Sequence, residues 1–171
     1  MRKLPLFETF KNEDEQFDFE WPTRAQLKSV TNAKQLRLKE IRYQQDILGV
    51  LTAIKFVGQD MQSPFFAASL DKKSAPITLN LHSFYDRDDG HYRVNNIAAR
   101  IEFNSMISNI YFNYEKNGIS RIGTKRGQGP LSHVSLAPGE QIIGLYGNYS
   151  DEKSGSVISA LGFIVWTPGT I

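Results

Sequence analysis

The chain has 171 residues, a net charge of +2 and no cysteine, and its hydrophobic and charged fractions are 40% and 22%. These values are ordinary for a single globular domain with its own core. They give no indication of nucleic-acid binding, and the missing cysteine excludes disulfides, a cysteine nucleophile and cysteine-ligated zinc. No apolar run reaches the length of a signal peptide or a membrane span, so we expect an intracellular, cytoplasmic protein.

The first 24 residues differ from the rest in composition. Large aromatic side chains alternate loosely with acidic ones, and residues 1–20 hold six acidic and three basic side chains. Such segments are often disordered until they dock on a partner, and packing along the chain's own domain is the equal alternative. We predict an N-terminal arm over residues 1–24 and one domain over residues 25–171. The candidate partner-docking residues of the arm are Phe7, Phe10 and Phe17.

A short helix is expected over residues 23–34, and beyond it a six-residue pattern occurs three times. The pattern reads aliphatic, hydroxyl, small or Asn, aliphatic, any residue, Phe, and it covers residues 51–56, 107–112 and 158–163. The first two apolar positions stand three apart and the last two stand two apart, which is satisfied by a strand with one bulge or by a strand whose first residue is still in the turn. Internal repeats of this kind indicate one structural unit used several times.

Each copy of the pattern follows another strand candidate across a short connection. The earlier strands are predicted over residues 36–44, 97–103 and 140–149. Two strands joined by a short polar turn form a β-hairpin. The sequence therefore predicts an all-β domain built from three repeated hairpins.

The segments between the hairpins contain a further strand candidate and a basic loop. Residues 77–84 read as a strand with Ile77, Leu79 and Leu81 on one face. The Gly-rich stretch 123–129 lacks the residue order of a phosphate-binding loop. Lys125 and Arg126 lie in this stretch and Arg121 lies two residues before it, and these three cations serve either as solubilising charges or as docking sites for an acidic partner.

No motif in the chain predicts catalysis, a metal ion or a cofactor. The three histidines are scattered, and Asp86, Asp88 and Asp89 precede Gly90 without the closing Glu of a calcium loop. No nucleophile elbow or catalytic triad spacing occurs. We therefore expect a non-enzymatic binding module without a cofactor.

Residues 95–166 resemble the jacalin-like lectin domain, and the resemblance extends weakly back to residue 36. It is carried by Ile107-Ser108-x-Ile110-x-Phe112, by the Gly-rich stretch, by Gly139-Glu140-x-Ile142 and by Ile158-Ser159-x-Leu161-x-Phe163. The resemblance implies a β-prism, in which three hairpin-based antiparallel sheets surround a pseudo-threefold axis. It also implies a sugar site in the last hairpin loop, here Gly155, Ser156, Val157 and Ser159.

The sequence departs from the family at the sugar site. The family pattern Gly-x-x-x-Asp ends here in Ser159, and the equivalent residues of the other copies are Thr52 and Ser108. A hydroxyl makes a weaker bond to a sugar than a carboxylate does. The string from Gly147 to Asp151 also fits the pattern, earlier in the turn. We therefore expect a protein-interaction or structural subunit of a larger intracellular assembly, with a carbohydrate-binding lectin as the alternative.

Overall fold

The computed structural model describes the chain over residues 2–5, 17–67, 73–81, 94–102, 106–114, 118–150 and 157–167. No helix in these ranges is long and apolar enough to span a membrane. Instead of one helix over residues 23–34, there is a single turn α1 at Arg24–Leu27 and a turn of 3₁₀ helix at Ala33–Leu36. The residues between the two turns include Ser, Val, Thr and Asn, which are weak helix formers, so neither turn is extended.

The described strands form three antiparallel sheets, each built around one of the predicted hairpins. Sheet I has the order β4-β3-β5, with β3 at Leu38–Gln45, β4 at Leu51–Gly58 and β5 at Ile77–Asn80. Sheet II has the order β8-β7-β6-β9, with β6 at Val94–Glu102, β7 at Met106–Tyr114, β8 at Ile119–Ile122 and β9 at Leu131–Ser135. Sheet III has the order β1-β11-β10-β2, with β1 at Arg2–Pro5, β2 at Phe19–Trp21, β10 at Gln141–Tyr149 and β11 at Ile158–Trp166.

The repeated Phe residues lie in one shared core. Phe56, Phe112 and Phe163 belong to different sheets and are 0% exposed, and the rings of Phe112 and Phe163 meet edge to face at 5.6 Å. Aromatic rings prefer this geometry to a face-to-face stack. The three hairpins therefore bury their equivalent side chains together, which confirms the β-prism prediction.

The same irregularity occurs in all three hairpins. The strand register shifts at the hydroxyl residue of each repeat, so that Thr52, Ser108 and Ser159 have no partner in the ladder. A bulge of this kind inserts one unpaired residue into a strand. It lets the first two aliphatic residues of each repeat, although three positions apart, both point into the core. Of the two explanations that the spacing of the apolar residues allowed, a bulge is the one that these hairpins contain.

Each described stretch of the predicted arm contributes one strand to sheet III. β1 pairs with β11, and β2 pairs with β10 on the opposite edge. Phe19 stacks on Phe66 with ring centroids 4.9 Å apart, and Trp21 contacts Phe56 at 5.3 Å. These ring contacts join sheet III to sheet I. Through the strand pairing and the ring contacts, residues 2–5 and 17–21 pack along their own domain.

A buried carboxylate fixes β1 to the prism. Glu140 accepts two hydrogen bonds from Arg2, at 2.8 and 2.6 Å, and further bonds from the Ala137 amide and the Thr167 hydroxyl. These donors favour the charged form, with the Arg2 bond contributing most, and lower the pKa of Glu140 to about 2 although burial opposes this.

The exposed edge of sheet I differs from the sequence prediction. Leu81 is fully buried and Leu79 is half-buried, but Ile77 is exposed. Ile77 is the first residue of β5 and pairs with Tyr43, so the edge strand begins outside the core. The alternation of apolar residues predicted the buried face correctly but not the point where the strand joins that face.

Candidate functional site

The predicted sugar-binding residues fall at the turn end of the β10–β11 hairpin. Gly155 and Ser156 lie outside the described residues, whereas Val157 and Ser159 are described and half-buried. The Val157 carbonyl accepts a hydrogen bond of 2.9 Å from the Ser150 amide, which closes the hairpin at the base of its turn. The Ser159 hydroxyl donates a long bond of 3.4 Å to the Asn148 carbonyl. The hydroxyl that replaces the family's carboxylate is therefore turned toward its own strand pair.

A carboxylate does reach this end of sheet III, but from the N-terminal arm. Asp18 lies just before β2, its amide donates to Asn148 Oδ1 at 2.9 Å, and its Oδ2 accepts from the Tyr149 amide at 2.8 Å. Asp18 is exposed, and its Oδ1 has no partner among the described residues. Burial, together with the neighbouring Asp18 charge, raises the pKa of Tyr149 to about 12.

Asn148 links the N-terminal arm to the last hairpin. Its side-chain oxygen accepts from Asp18 and its carbonyl accepts from Ser159, so one residue of β10 contacts both flanking segments. Sequence analysis missed Asp18 and included Asn148 only as one position of the second candidate string, Gly147 to Asp151. Asp18 is one of six acidic residues in the arm, and only the pairing of β2 with β10 distinguishes it from the others. Gly147 of the second candidate string lies within β10 beneath the Phe19 ring, and Asp151 lies outside the described residues.

The equivalent hydroxyl in sheet II is used internally. Ser108 is buried and donates to Glu102 Oε1 at 2.9 Å. The same Glu102 oxygen accepts from the Gln128 amide at 2.6 Å. This position therefore anchors the Gly-rich loop, and its polar atoms are already bonded within the chain.

The Gly-rich loop is held by side chains of its own domain. The Gly123 amide donates to the Tyr43 hydroxyl at 3.1 Å, and the Gly127 amide donates to Asn109 Oδ1 at 2.8 Å. Asn109 is fully buried and its amide group donates to the carbonyls of Ile122 and Lys125. Since the Gly123 and Gly127 amides already have partners, they are not free to bind a phosphate.

The predicted docking residues are partly described. Arg121, Lys125 and Arg126 are exposed, and none of them forms an ion pair within the described ranges. Arg121 Nε donates to the Gly123 carbonyl at 3.1 Å. Phe17 is half-buried against Tyr146, with centroids 4.7 Å apart, so its ring is engaged by its own domain.

The remaining predicted docking residues and the possible metal ligands lie outside these ranges. Phe7, Phe10 and residues 82–93, which include the Asp86–Asp89 stretch, are not among the described residues. In the part of the chain that is described, no three His, Cys, Asp or Glu side chains are grouped to hold a metal ion.

Comparison with known proteins agrees with this architecture. The family model described as the jacalin-like lectin domain matches residues 80–167, just over half of the chain. No curated protein sequence is significantly similar. The structure of a prostate-specific WGA16 glycoprotein lectin is 16% identical, with a TM-score of 0.54 over 77% of this chain and 83% of that one. Artocarpin complexed with methyl-α-mannose is 12% identical, with a TM-score of 0.51 over 77% and 84%.

At such low sequence identity, each of these two solved structures is similar to this chain in fold alone. The matched stretch begins in β5, includes all four strands of sheet II, and ends just after β11. It therefore takes in two of the three repeated hairpins, together with the Gly-rich loop and the β10–β11 turn. The chain belongs to the jacalin-like lectin domain family.

Proposed function

We propose that this protein binds carbohydrate at the turn end of the β10–β11 hairpin and that Asp18 supplies the carboxylate of the site. The observation that carries the proposal is Oδ1 of Asp18, which has no partner among the described residues and lies beside Asn148 at the same end of sheet III as Val157 and Ser159. The arm would thus provide from a neighbouring strand the acceptor that the last hairpin lacks.

The chemistry of this group fits sugar hydroxyls. A carboxylate accepts hydrogen bonds from hydroxyl donors, and such charge-assisted bonds are about twice as strong as neutral ones. Asn148, the residue of β10 that bonds to Asp18, carries a side-chain amide group that can donate to a sugar. One structure of similar fold contains methyl-α-mannose, which makes simple mannosides the first ligands to test.

A role in protein interaction is the second candidate. It is supported by the exposed cations Arg121, Lys125 and Arg126, which have no ion-pair partner in the described part of the chain. Such unpaired charges can steer an acidic partner to its docking site. Membership of a larger intracellular assembly stays a prediction of the sequence.

Glycan-array screening followed by calorimetry with the best ligand tests the carbohydrate proposal. Asp18→Asn keeps an oxygen that can accept from the Tyr149 amide but removes the charge, and we expect affinity to fall roughly tenfold, the equivalent of one charge-assisted bond. Ser159→Arg should block the site by its bulk. Asp60→Asn is the matched control, because Asp60 is an exposed carboxylate just after β4, away from the β10–β11 turn.

Two results would contradict the proposal. One is the absence of glycan binding by the wild-type protein. The other is specific binding that Asp18→Asn and Ser159→Arg leave at the wild-type level, which would place the sugar elsewhere. Unfolding curves of each variant separate loss of the site from loss of the fold.

A further inference from the structure

The turn between β3 and β4 presents two large aliphatic side chains to solvent. Ile47 is 97% exposed and Leu48 is 77% exposed, the highest values among the large hydrophobic residues that the structure describes. Exposed single hydrophobic residues are common on protein surfaces. Two adjacent aliphatic residues at the tip of a hairpin form a projecting apolar point instead.

The turn that carries them is firmly constructed. The Asp46 amide donates to the Val50 carbonyl, and the Gly49 amide donates to the Asp46 carbonyl. The Asp46 carboxylate accepts from the amides of Leu48 and Val50 at 2.9 and 3.2 Å. Gly49 has a φ of +81°, a conformation that glycine adopts without strain. The aliphatic pair is thus held outward by a bonded turn.

The basic loop lies against the base of this turn. Gln45, the last residue of β3, donates from Nε2 to the carbonyls of Gly49 and Ser108. Its Oε1 accepts from the Thr124 amide at 3.2 Å. One side chain therefore joins the apolar turn to the loop, and the exposed residues Lys125 and Arg126 follow Thr124 directly.

We propose that this surface, the cationic tip formed by Ile47, Leu48, Arg121, Lys125 and Arg126, binds anionic phospholipid membranes. Aliphatic side chains that enter the acyl region and cations that contact anionic headgroups are the two contributions that anchor peripheral proteins. The one acidic side chain of the turn, Asp46, accepts hydrogen bonds from the amides of Leu48 and Val50. The three cations of the tip therefore outnumber the one carboxylate of its turn.

The shape of the tip favours a membrane over an acidic protein. Protein interfaces depend on aromatic and Arg anchors within a broad packed area, and Leu is under-represented among their hot spots. Here the apolar part is a narrow aliphatic point without an aromatic residue. A fluid headgroup region can surround such a point without a complementary pocket.

Vesicle co-sedimentation of the full chain tests the proposal. We expect binding to vesicles of phosphatidylcholine with phosphatidylserine, weaker binding as salt is added, and little binding to phosphatidylcholine alone. The double variant Ile47→Ser with Leu48→Ser should lose at least about tenfold in affinity. Burial of two aliphatic side chains contributes more free energy of binding than a tenfold change in affinity requires. Lys125→Ser with Arg126→Ser should weaken binding to the anionic vesicles only.

Ile119→Ser is the matched control. Ile119 is 66% exposed, but it lies at the start of β8 rather than on the tip. Its change should leave vesicle binding at the wild-type level, and so should Asp18→Asn, which separates this proposal from the sugar site.

Three outcomes would overturn the proposal. The wild-type protein could fail to bind anionic vesicles at low salt. The tip variant could bind as the wild type does, or no more weakly than Ile119→Ser. Binding of soluble polyglutamate without binding of vesicles would instead assign the surface to an acidic protein segment.

Discussion

Replacement of Glu140 by Gln should remove an acid-sensitive part of the stability of this prism. Glu140 is almost fully buried and accepts four hydrogen bonds, two of them from Arg2 of β1. The pKa of its carboxyl falls from an ordinary value of 4.5 to about 2, chiefly through the bond from Arg2. A decrease of this size corresponds to at most about 3 kcal/mol in the free energy of unfolding. Since the Arg2 side chain is 45% exposed, solvent screens part of the interaction, and we expect about 2 kcal/mol.

The pH dependence has a definite sign. Folding lowers the pKa of Glu140, so the stabilisation is complete above pH 4.5 and is lost as the pH falls from 4.5 toward 2. The wild type should therefore be more stable than Glu140→Gln at neutral pH, and the difference should shrink toward zero at the acid end. Urea unfolding followed by the fluorescence of the buried Trp21 measures this difference at each pH.

The pair between Lys3 and Glu20 provides the matched control on the same strand. Both side chains are partly exposed, at 44% and 34%, so Lys3→Gln should change the free energy of unfolding by less than about 1 kcal/mol. A difference between wild type and Glu140→Gln that stays constant from neutral pH to the acid end would refute the reasoning. So would an effect no larger than that of Lys3→Gln.

Other predictions follow from the core, the Gly-rich loop and the arm. Phe112→Ala should cost about 3–5 kcal/mol in urea unfolding, and the half-buried Phe65→Ala should cost clearly less; equal losses would argue against one shared core. Asn109→Ala should cost about 1–3 kcal/mol because it leaves the Gly127 amide without its acceptor; an unchanged midpoint would show that another group replaces it. Amides of residues 19–21 that bond to β10 should be protected in hydrogen exchange of the isolated protein, whereas rapid exchange would contradict the β2–β10 pairing.

The core of the prism could be predicted from the sequence because its signal is local and repeated. The spacing of Leu51, Ile54 and Phe56 defines one bulged strand, and two further copies of the spacing define the other two. Side chains alternate between the two faces of a strand, and one bulge changes the phase once. These two rules are enough to assign which residues of the six-residue pattern face inward. The pattern therefore predicted the three hairpins and their buried Phe residues.

The candidate site could not be predicted in the same way. Asp18 reaches Tyr149 across 131 positions of sequence, and Arg2 reaches Glu140 across 138. Nothing in the composition of an acidic-aromatic arm specifies which strand edge it joins, since strand pairing depends on which edges the rest of the fold leaves open. The sequence by itself determined the repeats and the loss of the family's carboxylate at Ser159, and it left a bulge as one of two explanations for the spacing within each repeat. Only the tertiary structure decided that the arm supplies two edge strands of sheet III and that its Asp18 lies beside the last hairpin, because long-range pairing leaves no local periodicity to detect.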